Sequence, residues 1–132
     1  MFPDARAAYR AATQATMSSR KLEAAALFSA ARRIEDSLRD WGSADCERRL
    51  ADALEHNQRL WTFFEAELLE SGHPMSPDLR QALLTLIRFV DRRTYELLAH
   101  PDPAAARALI EIDRNVATGL ETTPEPGGPP TG

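Results

Sequence analysis

The sequence has a single cysteine, Cys46, so no internal disulfide can form, and a lone thiol fits a reducing compartment. Its three histidines, His56, His73 and His100, are scattered rather than set at metal-ligand spacing, and no metal or cofactor is expected. No stretch approaches the roughly 18 consecutive apolar residues of a membrane span. Met1–Arg6 has no apolar run behind it of the kind a signal peptide needs, so a cytoplasmic protein without membrane insertion is expected. Basic residues are not in surplus: 16 Lys and Arg stand against 20 Asp and Glu, a formal charge of −4. That balance favours solubility and disfavours a duplex-binding stripe. The one glycine pair, Gly127-Gly128, lies in a Pro-rich tail and cradles no phosphate. Strand-like alternation and internal repeats are lacking as well.

What the chain does have is helical periodicity. Leu50, Leu54, Asn57, Trp61, Phe64 and Leu68 are spaced four, three, four, three, four, which lays them along one face of a helix. Asn57 is the one polar member of that stripe, and a buried amide needs hydrogen-bond partners. Before it, residues 3–16 read as a short Ala-rich helix, with Ser18 and Ser19 as cap hydroxyls for the next. Residues 20–41 carry a second stripe, Ala24, Leu27, Ala31, Ile34, Leu38 and Trp41, whose small members allow close approach. Gly42 then supplies a left-handed cap.

Ser43 or Asp45 is expected to cap the third helix, which ends at Gly72. Ser76 followed by Pro77 starts a fourth helix over 77–99, with Leu79, Leu83, Leu86, Val90 and Leu97 on one face and Leu84, Ile87 and Leu98 widening it. A helix this broadly apolar calls for two neighbours. Asp102 caps a fifth, 103–118, marked by Leu109, Ile112 and Val116 and stopped by Gly119-Leu120. The fold class is therefore all-α: a compact antiparallel bundle of about five helices over residues 1–120, with 121–132 a disordered Pro/Gly-rich tail.

Catalytic constellations do not emerge. Cys46 and His56, ten residues apart on one helix, stand about 15 Å apart and cannot form a nucleophile–base pair. Glu65, Glu67 and Glu70 read as a solvated helix face. Arg32-Arg33, Arg48-Arg49 and Arg92-Arg93 are each interleaved with acids, the ordinary surface of a soluble helix, so direct nucleic-acid binding is not expected. Trp61 and Phe64 belong to the stripe as core anchors. Phe63 lies about 120–140° from the stripe centre, with Leu60 on the flank between. It is either covered by another helix or is an apolar anchor for a partner.

Three blocks together carry a resemblance. Asn57-Gln58-Arg59-Leu60-Trp61, Leu79 to Leu86 beginning Leu-Arg, and Leu109 to Leu120 in the form Leu-Ile-x-Ile-Asp-Arg-Asn-Val-x-x-Gly-Leu, preceded by Tyr9, resemble the FlaF family of alphaproteobacterial flagellin-biosynthesis proteins. Two departures stand out: residues 71–78 read Ser-Gly-His-Pro-Met-Ser-Pro-Asp where the family tends to Asn-x-Leu-Pro, and Asp113 stands where it usually has Asn. The resemblance implies a non-enzymatic cytoplasmic chaperone or regulator that binds flagellin and promotes its production and export, working beside FlbT. An alternative is a post-transcriptional regulator of flagellin messenger RNA, acting directly or with FlbT. Leu60 and Phe63, with Asn57, Trp61 and Arg80 of the matching blocks, are the candidate partner-contacting residues.

The tail has no apolar residue able to offset the entropy of ordering it. Deleting residues 121–132 is therefore expected to leave fold and partner binding intact. Slowly exchanging amides there in the free protein would contradict this.

Overall fold

No glycine or proline falls between Ala5 and Arg39, and the chain uses that stretch as one helix, α1 (Ala5–Arg39). The computed structural model describes residues 5–70 and 76–122, with the backbone alone over 9–19. The two segments expected on either side of Ser18 and Ser19 are both helical but join without a break. Serine inside a helix costs only a few tenths of a kcal/mol relative to good helix formers, so a potential cap does not interrupt a helix that nothing else stops. The five expected segments thus form four continuous helices: α1, α2 (Cys46–Leu69), α3 (Pro77–Ala99) and α4 (Pro103–Thr122).

Where breakers exist, the chain obeys them. Gly42 takes φ +106° in the turn after α1, a region L side chains rarely adopt. Trp41, expected at the end of the first stripe, sits in this turn beyond the helix, half-buried against the core. Asp45 is the N-cap residue of α2 but makes no side-chain cap bond, so the expected hydroxyl or carboxylate cap is not formed there. α2 closes at Leu69, with Glu70 extended, before the expected Gly72, which lies outside the described residues. Ser76 caps α3 as expected, its oxygen accepting from the Leu79 N–H at 3.2 Å with Pro77 at the first position. At the start of α4, the Asp102 carboxylate accepts from the Ala104 N–H at 3.0 Å. The helix runs through Gly119 to Thr122, so the expected stop does not act and Glu121 and Thr122, assigned to the tail, are helical. The rest of the expected tail, 123–132, lies outside the described residues.

Packing runs around a ring. α1 touches α2 and α4, and α3 touches α2 and α4. The α1–α4 contact is the broadest, because both faces are built from small residues alternating with larger ones: Ala24, Leu27, Ala31 and Ile34 against Ala106, Leu109, Ile110 and Ala117, all buried. The stripes expected on α1 and α2 are core, with Phe64 half-buried at its margin. On α3 the buried line is Ile87, Val90, Thr94 and Leu97, and Leu79, expected on the inner face, is exposed at the first turn. On α4 the buried line is rotated from the expected one: Ile112 and Val116 are half-buried, and Asp113 occupies the centre.

Two glycines that look alike in sequence are opposite in the fold. Gly42→Ala should cost about 1–3 kcal/mol through backbone strain alone, since open space surrounds its Cβ position. Gly119→Ala, in helical backbone with open space, should be neutral or stabilise by up to about 1 kcal/mol. Denaturant midpoints of the two variants check both signs.

Candidate functional site

Two polar residues sit in the core stripes of α2 and α4, and they meet. Asn57 and Asp113 are both 0% exposed. The amide end of Asn57 that faces α4 stands 2.7 Å from Oδ2 and 3.3 Å from Oδ1 of Asp113. One turn along α2, Trp61 donates its indole Nε1–H to Oδ1 at 2.9 Å. Among the described residues the backbones of α2 and α4 make no close approach, so these side chains cross the middle of the ring. A carboxyl group in this position loses its hydration. Burial pushes Asp113 up from its ordinary 3.8 to about 7, while the Trp61 bond pulls the other way.

From this centre an aromatic run leads outward. Phe64 packs edge-on to Trp61, ring centroids 6.1 Å apart at 89°. Phe63 in turn meets Phe64 at 6.1 Å and 61°. Phe63 itself is 56% exposed, and Leu60 is half-buried beside the core. The structure therefore divides the five candidate residues. Asn57 and Trp61 are interior, Phe63 is on the surface, and Leu60 and Arg80 lie at intermediate depth.

Charged groups elsewhere are arranged as a solvated surface. Arg114 pairs with Glu35 across α4 and α1 and holds the Glu35 carboxyl below its ordinary value. Arg39 lies 3.4 Å from the Asp36 carboxylate, and Arg49 donates to the Asp36 carbonyl at 2.9 Å, tying the start of α2 to the end of α1. His56 is pushed down by partial burial and then by Arg33 and Arg59. Cys46 is a buried free thiol at the start of α2. Among the described residues no cluster of three or more His, Cys, Asp or Glu side chains could hold a metal ion, and no helix is long and apolar enough to cross a membrane.

Asp113 does not stand out in the sequence, because a lone acid in a helix normally faces water. The available signal was the register: Asp113 lies three residues after Ile110 and four before Ala117, inside a 106–109/110–113–117 line. The unsatisfied amide implied at Asn57 was the other half of the same observation.

Fold and site together define an all-helical protein with a structural polar cluster at its centre and aromatics on its surface, Phe63 among them. The family model described as Flagellar protein FlaF matches residues 5–120, and the chain belongs to that family of flagellar proteins, which is not an enzyme family. No curated protein and no solved structure matches the chain significantly.

Trp61 both fills the core and supplies a hydrogen bond. Trp61→Ala should cost about 3–5 kcal/mol, a large share of the roughly 5–15 kcal/mol that holds a domain. Equilibrium unfolding measures it, and an unchanged midpoint would place the indole outside the core.

Proposed function

We propose that this chain is a cytoplasmic flagellin-binding chaperone or regulator that promotes flagellin production and export. The reading rests on its membership of the FlaF family, and the observation that carries it into the structure is Phe63. α2 commits Leu50, Leu54, Asn57, Trp61 and Leu68 to the interior, so an aromatic on another face has no role in closing the bundle. An amphipathic helix, such as an unassembled flagellin terminus, offers the apolar side chains that would cover it by helix-on-helix packing. Leu60 and Phe63 are the proposed contacts, with Arg80 near the start of α3 as a further one. Asn57 and Trp61 act from inside, by fixing the helix that presents them.

Direct binding of flagellin message is the weaker reading. A net charge of −4, with Arg39 and Arg114 each matched to an acid, offers little to a phosphate backbone. Cooperation with FlbT remains compatible with a protein–protein role.

The test is Phe63→Ser. An exposed Phe contributes little to folding, so the melting temperature should stay within a few degrees. Association with flagellin, measured by co-purification and titration at tens of micromolar, should weaken at least tenfold, as for loss of an aromatic anchor. Parallel collapse of stability would make Phe63 core. Absence of any flagellin association in the unaltered protein would end the reading.

A further inference from the structure

We propose that Asp113, Asn57 and Trp61 form a proton-operated switch in the bundle interior, in which ionisation of Asp113 turns the Asn57 side-chain amide end over end. Two arrangements satisfy the contact between Asn57 and Oδ2 of Asp113, one for each protonation state of the carboxyl group. The amide atom of Asn57 facing Asp113 is 2.7 Å from Oδ2, a distance that requires a proton between the two atoms. With Asp113 neutral, its O–H donates to the Asn57 carbonyl oxygen. With Asp113 ionised, the carboxylate can only accept, and the Asn57 nitrogen must occupy that place and donate instead. The proton leaves to solvent, and a half-turn of the amide about its terminal torsion restores the bond. Trp61 donates to Oδ1 in both states, because an indole N–H has no acceptor role.

The surroundings make the carboxyl group the one that titrates. Neither of its partners carries a charge. Among the described side chains, the charged ones at intermediate depth on the packed elements are Arg20, Glu23, Glu35 and Asp36 of α1, Arg49, His56, Glu65 and Glu67 of α2, and Arg80, Asp91 and Arg93 of α3. On α4 itself Arg114 is turned outward to Glu35. None of them contributes to the position of Asp113, which is set by burial against the Trp61 bond. The switch therefore operates near neutral pH rather than in acid.

The sign follows from linkage. Asp113 holds its proton more tightly folded than unfolded. Its contribution to stability is complete below the ordinary 3.8, and is lost as pH rises towards about 7. Over that window the folding constant falls by about tenfold per pH unit from this group. His56, pushed down, works in the opposite sense, since its folded form resists protonation. Comparison with Asp113→Asn cancels the histidine and isolates the carboxyl.

The experiment is an NMR titration of the full chain from pH 5 to 9, alongside unfolding of the chain and of Asp113→Asn over the same range. The Trp61 indole and Asn57 side-chain amide resonances should move together with one midpoint near 7. The Asn57 amide protons should shift downfield as they begin to donate to a carboxylate. In Asp113→Asn both movements should vanish, and the stability ratio of the two proteins should change steadily from pH 5 to 7. If Asp113→Asn fails to fold, the titration of the unaltered chain decides alone. Static resonances, a midpoint below pH 5, or Asp113 titrating while the Asn57 protons stay in place would each overturn the proposal.

Discussion

The hydrogen bonds between Asp113 on α4 and the Asn57 and Trp61 side chains on α2 are the contact on which the arrangement of the bundle depends. Neighbouring helices around the ring meet through apolar faces, which are tolerant of sliding because aliphatic contacts have no direction, with the Arg49–Asp36 and Arg114–Glu35 contacts at the margins of two of them. A bond from an indole N–H to a carboxyl oxygen has direction and length, and so does an amide set against the other oxygen. A shift of α2 by one turn along the ring would strand three buried polar groups, at a cost of several kcal/mol. The cluster thus selects one register among several that burial alone would accept.

That register decides what α2 shows to solvent. With Trp61 turned inward to Asp113, Phe64 is drawn to the core margin and Phe63 is directed outward, each ring touching the next. The exposure of Phe63 is a geometric consequence of the burial of Trp61: at about 100° per residue, positions 61 and 63 cannot both face the interior. The interior cluster and the proposed flagellin-contacting surface are therefore two faces of one helix setting. This is the sense in which a buried Asn and Trp can matter to a partner they never touch.

Much of this was legible in the sequence, for identifiable reasons. The α1 and α2 stripes are strongly periodic and are core. Ser76-Pro77 and Asp102-Pro103 marked helix starts because a capping oxygen and a proline act locally. The misjudged boundaries were those inferred from permissive residues. Ser18 and Ser19 can cap but do not break, and Gly119 can end a helix but need not. Asp113 was hidden because its burial depends on a partner 52 residues away, information that no local pattern contains. Phe63 was visible as an anomaly on α2, but whether another helix covered it was a tertiary question.

A double-mutant cycle on Trp61→Phe and Asp113→Leu measures the central interaction most directly. Each single change leaves a buried group without its partner, and the double change removes both together. The two residues should therefore couple, with the double variant less destabilised than the sum of the singles by about 0.5–3 kcal/mol. Additivity to within about 0.3 kcal/mol would show that the two groups do not hold one another, and would contradict the account.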